Sequence, residues 1–230
     1  MKTMMTLAIA AVIAASAAAA RITDEPRAPR ILVDKPGLVT ALDNDGGRVE
    51  LYASSHAVRN LEFHGGAVVS EPLVELLFVG VWDHSRADLL RQAADHISAT
   101  DAFQSTHEHG VKATALPITT RTLAGPAKGN DKMNDLDVQA MIDRAIENGS
   151  LPSRSDNTIY VLFLSPAISS TLGEKTAGTD YASYHSHFHS HDVNVRYVVV
   201  PFHEDVNVMS QAVAASLVRA IINPDGDGWY

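Results

Sequence analysis

The chain has 230 residues, no cysteine, and a formal net charge of −9 at pH 7 with its 11 histidines neutral. This negative balance disfavours nucleic acid as a partner, because binding to a phosphate backbone depends on clustered cations. The absence of cysteine excludes a disulfide framework, so a packed core or a bound metal must stabilise the fold.

Residues 1–20 have the layout of a secretory signal peptide. Lys2 precedes an apolar stretch from Met4 to Ala20, which is rich in alanine and ends in small residues. The stretch is short and weakly apolar for a membrane-spanning helix, so its composition favours cleavage over an uncleaved anchor. We therefore expect a secreted or periplasmic protein with no membrane span after cleavage.

The chain after the signal peptide divides into two parts. Residues 21–45 contain several prolines and the run Asp43-Asn44-Asp45, and this composition predicts a flexible leader. Residues 46–230 are expected to form a single α/β domain, since no second core or internal repeat is visible in the sequence.

This domain is predicted to contain two buried strands, with a helix directly after the first of them. Near-continuous apolar runs at residues 73–79 and 158–164 are typical of strands buried on both faces. A capping-box pattern predicts that a helix begins near Ser85. Residues 111–116 are a further strand candidate, and the glycines within 119–133 indicate an exposed loop.

Two more helices follow along the chain. One is expected to begin after Asn134 and end at Gly149, and the other to cover about residues 208–222 before Asn223-Pro224. Residues 184–202 predict one long strand or a hairpin arm. Strands alternating with about three helices indicate a layered α/β fold with a mixed β-sheet.

Four histidines alternate with other residues in the run Tyr184–His191. In an extended strand, His185, His187, His189 and His191 would all project from one side. A His-x-His pair on a strand is a recurrent bidentate unit for transition metals such as zinc, copper or nickel. The alternative is a solvated hairpin edge without a metal. No Gly-x-Ser-x-Gly elbow, phosphate-binding glycine loop or dinucleotide fingerprint accompanies the histidines.

Six short patterns follow one another between about residues 63 and 230. They are Phe63-His64-Gly65-Gly66-Ala67-Val68, Val79-Gly80-Val81-Trp82, Ile159-Tyr160-Val161-Leu162-Phe163-Leu164-Ser165-Pro166, Tyr184-His185-Ser186-His187, Tyr197-Val198-Val199-Val200-Pro201, and Ala220-Ile221-Ile222-Asn223-Pro224 with Gly228-Trp229-Tyr230. In this order they resemble the phosphate-induced/EXORDIUM-like family of secreted proteins and its bacterial relatives. The resemblance implies a zincin-like α/β fold descended from a metalloprotease-like ancestor.

The last helix departs from the family pattern. Relatives have a His-Glu-x-x-Glu motif just before Asn-Pro, in which residues i and i+4 hold zinc and the adjacent Glu polarises water. Ala215, Ser216 and Arg219 occupy the matching positions here. The resemblance therefore implies a degenerate metal motif with no catalytic residue. Relatives also continue beyond the Trp-Tyr pair, so the sequence ending at Tyr230 indicates a shortened C-terminus.

Three hypotheses about function follow. The first is an exported, non-catalytic protein with a degenerate metalloprotease-like core, which acts by binding at the envelope or outside the cell. The second is a transition-metal-binding protein that uses the strip of four histidines. The third is a zinc metallopeptidase whose ligands have moved elsewhere.

Overall fold

The computed structural model describes residues 31–33, 38–42, 48–52, 61–127 and 131–230, the first three segments as backbone strands only. The expected signal peptide, residues 1–20, lies outside these segments. Two described strands fall within the expected leader, whose other residues are not described.

The described chain contains eleven strands and four α-helices. The strands are β1 (Ile31–Val33), β2 (Leu38–Leu42), β3 (Arg48–Tyr52), β4 (Leu73–Val79), β5 (Ile118–Leu123), β6 (Lys132–Met133), β7 (Thr158–Leu164), β8 (Ser169–Leu172), β9 (Lys175–Thr176), β10 (Ser183–Ser190) and β11 (Val193–Val200). The helices are α1 (His84–Asp95), α2 (Asp101–Gln104), α3 (Asp135–Glu147) and α4 (Val206–Ile222).

The main sheet is mixed, which confirms the predicted α/β class. Its strand order is β1-β2-β3-β10-β11-β7-β4-β5, and β6, β8 and β9 form a small second sheet. Strands β11, β7, β4 and β5 run parallel, whereas β10 pairs antiparallel with β11 and β3. A zincin-like arrangement within this class remains a prediction.

The core consists of one apolar layer on each face of the sheet. Helix α3 contributes Val138 and Ile142 to one layer, and α4 contributes Val213 and Leu217 to the other. Every residue of β7 is buried, because both faces of this central strand are covered. The two apolar runs predicted to be central strands are therefore β4 and β7, with the predicted bounds.

Helix α1 begins two residues earlier than the capping-box prediction. Its N-cap is Asp83, whose carboxylate accepts a hydrogen bond from the Arg86 amide at 3.0 Å and a second from the Ser85 hydroxyl. These hydrogen bonds, that from Ser85 first, lower the pKa of Asp83 below its usual range. Ser85 is thus a donor to the cap rather than the cap itself.

The chain between α1 and α3 differs most from the prediction. Residues 111–116 form no strand, and the expected loop at 119–133 contains most of β5 and all of β6. The cause is the position of β5 at the sheet edge, where its central residues are exposed and leave no apolar pattern to detect. In contrast, α3 begins as predicted, with a capping box between Asn134 and Asp137.

The first and last of the six sequence patterns, near residues 63 and 229, are in contact in the folded chain. Phe63 forms an antiparallel bridge with Trp229, and Glu62 and Tyr230 exchange backbone hydrogen bonds of 3.1 and 3.2 Å. Gly66 passes so close to Asp227 that a Cβ at that position would lie 1.9 Å from its carboxylate. The C-terminal segment therefore packs along residues 62–66.

None of the helices in the described part of the chain has the length and apolar content that crossing a bilayer requires.

Candidate functional site

The histidine run forms the first strand of a hairpin. Strand β10 ends at Ser190, and the chain reverses through His191 and Asp192, whose φ angles of 49° and 63° are typical of a tight hairpin turn. His191 therefore lies in the turn, with Nδ1 3.1 Å from the Ser190 hydroxyl, which itself donates to Asp143 of α3. The expectation that all four imidazoles share one side is wrong for His191, because the turn places it towards α3.

The other three histidines share the α4 face of β10 and become more exposed along the strand. His185 is 3% exposed, and its Nε2 lies 3.1 Å from the carbonyl oxygen of Asn223 at the end of α4. The His189 side chain is 65% exposed, with Nδ1 3.1 Å from the side-chain oxygen of Asn194. Within the described segments, no three His, Asp or Glu side chains converge in an arrangement suited to holding a metal ion.

His187 lies beside an ion pair between the buried Arg196 and the partly buried Asp225. Its Nδ1 is buried without a hydrogen-bond partner, and Arg196 stands directly opposite it on β11. The Arg196 guanidinium donates two hydrogen bonds of 2.8 Å, one to each carboxylate oxygen of Asp225, and Asn194 donates a third at 3.2 Å. This bidentate pair fixes the segment after α4 against the hairpin.

Asp225 is held in its charged form. Burial alone would raise the pKa of this carboxyl, but the hydrogen bonds and positive charge of Arg196 outweigh it and lower the pKa below its usual range. A carboxylate with both oxygens occupied and a lowered pKa is a poor general acid or base at neutral pH. We conclude that the pair orients the hairpin and the C-terminal segment rather than transferring protons.

The α4 positions that the resemblance matches to a metal motif carry no metal ligand. The Ser216 hydroxyl is buried 2.7 Å from the Ser183 hydroxyl, which also donates to the carbonyl of Ala212 at 3.2 Å. Ala215 has no ligating atom, and Nη1 of Arg219 is buried without a hydrogen-bond partner. A permanent cation thus lies on this face of α4.

A second polar cluster lies on the opposite face of the sheet. The Tyr197 hydroxyl lies 2.8 Å from both carboxylate oxygens of the buried Asp135, and Gln139 donates to the same carboxylate at 2.8 Å. Burial, and then the charge of Asp135, raise the pKa of Tyr197 well above its usual value. This cluster lies beneath the first turn of α3, where the helix dipole favours a carboxylate.

Two cavities lie away from these clusters. One, of about 160 Å³, lies outside the carboxyl end of β11, and Phe202, His203 and Met209 contribute to its lining. The other, of about 520 Å³, lies between the chain after β5 and helix α3. In open α/β sheets, ligands bind outside the carboxyl ends of the strands, which is where the first cavity lies.

Both carboxylate clusters, that of Asp225 and that of Asp135, escaped prediction from the sequence. The one visible signal was Arg196 within the apolar run of β11, because a cation in a buried strand requires a partner. That partner, Asp225, follows α4, and only the folded chain brings the two together. Asp135 gave no signal, because an acidic residue after a helix cap is usually exposed.

No protein-family model matches the chain, and comparisons with curated proteins and with solved structures also find no match. The resemblance to the EXORDIUM-like family therefore stays a prediction that rests on the six sequence patterns.

Proposed function

We propose that the protein is an exported, non-catalytic binding protein with a degenerate metalloprotease-like core. The observation that carries the proposal is the chemistry of α4 at the metal-motif positions. Ser216 is engaged with Ser183 inside the core, and Arg219 holds a permanent positive charge on the face that would have to bind a dication. Neither side chain can polarise a water molecule for peptide hydrolysis.

The cavity at the carboxyl end of β11 is the ligand site in this proposal. Phe202 and Met209 supply apolar surface there, and His203 supplies a polar atom at the rim. This combination suits a small apolar group with one polar end, such as a side chain of a peptide partner. The site lies near the N-terminal end of α4, so binding would not require the lost metal positions.

The decisive test measures metal content and peptide hydrolysis of the purified mature protein. We expect zinc below stoichiometric amounts and no hydrolysis that depends on added zinc. Zinc-dependent cleavage that a chelator abolishes would overturn the proposal and would favour a peptidase with relocated ligands.

A pair of variants tests the ancestry of the core. Ala215→His with Arg219→Glu restores ligands at i and i+4, and we expect this double variant to gain zinc affinity by calorimetric titration. The matched control is Ala214→His with Val218→Glu, which has the same spacing on a neighbouring helix face. Equal zinc affinity in the two double variants would contradict a metalloprotease-like arrangement around Ala215 and Arg219.

A transition metal on the hairpin is the second candidate function. His187 and His189 are two residues apart on the same face of β10, and Nδ1 of His187 has no hydrogen-bond partner. Replacing both with alanine should then abolish the metal retained after mild chelation. His107→Ala with His109→Ala changes the other His-x-His pair and is the control. Loss of metal in both double variants would indicate adventitious binding only.

A further inference from the structure

Strand β5 forms an open edge of the main sheet. It pairs with β4 alone, and no other strand of the described chain lies along its outer side. Its central residues, 119–122, are all exposed although their side chains alternate between the two faces. Neither face of the strand centre is therefore covered, and the edge is accessible at residues 119–122.

The backbone hydrogen bonds show which groups point outwards. The amide of Val74 donates to Pro117 at 2.9 Å, and that of Gly80 donates to Leu123 at 3.0 Å. In a parallel pair, alternate residues of a strand bond to the same neighbour. Residues 119, 121 and 123 thus face β4, which leaves the N–H and C=O groups of Ile118, Thr120 and Thr122 directed to the open edge.

The charge of this edge permits the approach of an acidic protein. Arg121 is the one charged residue of β5, and its Nε donates to the carboxylate of Glu75 at 3.0 Å. The ion pair has no net charge, and its Glu75 side chain is only 9% exposed. Two copies of a chain with net charge −9 can meet here without placing unpaired charges opposite each other.

We propose that β5 pairs antiparallel with β5 of a second copy, which joins the two main sheets into one. Only the outward-facing residues can exchange hydrogen bonds, and twofold symmetry then places Thr120 opposite its own counterpart. Ile118 lies opposite Thr122 of the second copy, and Arg121 opposite Thr119. Threonine pairs at such positions stabilise antiparallel strands, and no like charges are opposed.

The symmetry has a consequence for binding. The twofold axis runs perpendicular to the joined sheet, because the two copies of Thr120 point to the same face. Both α4 faces therefore lie on one side of the dimer. Two ligand sites presented on one side increase the avidity for a partner that repeats its epitope.

Cysteine cross-linking tests this register in a chain that has no cysteine of its own. In the proposed dimer the two Thr120 Cα atoms are about 5.5 Å apart, within the roughly 4.4–6.8 Å range for a disulfide. We expect Thr120→Cys to form a disulfide-linked dimer under mild oxidation at low protein concentration. Thr122→Cys is the matched control, because its two copies lie about 13 Å apart. Equal cross-linking of the two variants, or none in Thr120→Cys, would overturn the proposal.

A proline variant tests the dimer without cross-linking. The Thr120 amide points outwards, so Thr120→Pro removes a donor at the twofold axis and leaves the bonds to β4 intact. In sedimentation experiments over a dilution series, we expect a dimer for the wild type and for Thr120→Val, and a monomer for Thr120→Pro. A wild-type protein that is monomeric throughout the series would contradict the proposal. So would a monomer that binds extended peptides at this edge.

Discussion

The two polar clusters on opposite faces of the main sheet each hold a carboxylate, but they do so with different partners. Arg196 and Tyr197 are consecutive in β11 and point to opposite faces, and each binds a carboxylate, Asp225 and Asp135 respectively. Asp225 on the α4 face has a cation as its partner, whereas Asp135 on the α3 face has neutral donors. The α4 face therefore depends on a charge pair, and the α3 face on hydrogen bonds that an uncharged hydroxyl and amide supply.

Removing the Arg196 cation should lower the free energy of unfolding more than any other change considered. Arg196→Ala leaves Asp225 without its charge partner, and the two side chains are only 7% and 15% exposed. We expect the free energy of unfolding to fall by about 3–5 kcal/mol in urea titrations. Arg91→Ala removes an exposed arginine from two surface ion pairs and should cost less than about 1 kcal/mol. Similar losses in the two variants would show that the pair with Asp225 contributes little.

Removing the tyrosine hydroxyl from the α3 face should have a smaller effect. Tyr197→Phe takes a donor from Asp135, and we expect unfolding to require about 1–3 kcal/mol less. Tyr160→Phe is the matched control, because the Tyr160 hydroxyl is buried without a hydrogen-bond partner. It should leave stability unchanged or raise it slightly. A loss in Tyr160→Phe as large as that in Tyr197→Phe would contradict the role given to Asp135.

The two faces should also respond to opposite extremes of pH. The pKa of Asp225 is lower in the folded than in the unfolded protein. Its contribution to the free energy of unfolding is therefore present above its pKa in the unfolded chain, and is lost as pH falls through its pKa in the folded protein. The pKa of Tyr197 is higher in the folded than in the unfolded protein. Its contribution to the free energy of unfolding is therefore present below its pKa in the unfolded chain, and is lost as pH rises towards its pKa in the folded protein.

Variants at these two positions separate the pH effects. Asp225→Asn should flatten the acid limb of a plot of unfolding free energy against pH, and Tyr197→Phe the alkaline limb. Each group changes the slope by at most about 1.4 kcal/mol per pH unit. Urea titrations at about pH 2–5 and 9–12 would measure both limbs. If either variant flattens the opposite limb, the assignment of charge to the two faces is wrong.

Removing the hydrogen bond between Ser216 of α4 and Ser183 of β10 should change the free energy of unfolding least. Ser216→Ala removes the hydrogen bond to Ser183, but the Ser183 hydroxyl retains the carbonyl of Ala212. We expect a loss of about 0.5–1 kcal/mol in the free energy of unfolding. Ser210→Ala is the control, because its hydroxyl bonds only within the helix, to Val206. A much larger loss at Ser216 would indicate that this position does more than pack the helix.

The parts of the fold that could be predicted are those with an apolar pattern or a local cap. Strands β4 and β7 are buried on both faces, and Asn134 caps α3 through neighbours in the chain. Strand β5 escaped prediction because it pairs through its backbone while its side chains remain in water. The spacing of apolar side chains in a sequence indicates which positions are buried. An edge strand can form with few buried side chains, so this signal is weak for it.

The candidate site was only partly predictable for a related reason. Alternation placed His185, His187 and His189 on one face correctly, since the strand period is local. The turn at His191 depends on backbone angles that non-glycine residues seldom adopt, and nothing in the histidine alternation indicated it. The pairing of Arg196 with Asp225 depends on where α4 ends relative to the hairpin, which is a property of the tertiary structure.

The contact between residues 62–66 and the C-terminal segment bears on the timing of folding. The bridge between Phe63 and Trp229 joins residues from the two ends of the described domain, and the pair of Arg196 with Asp225 spans the whole of α4. Closing such loops costs chain entropy before their contacts contribute, so these contacts form later than local ones. The α4 face should therefore acquire its final packing only after α4 and the β10–β11 hairpin have formed.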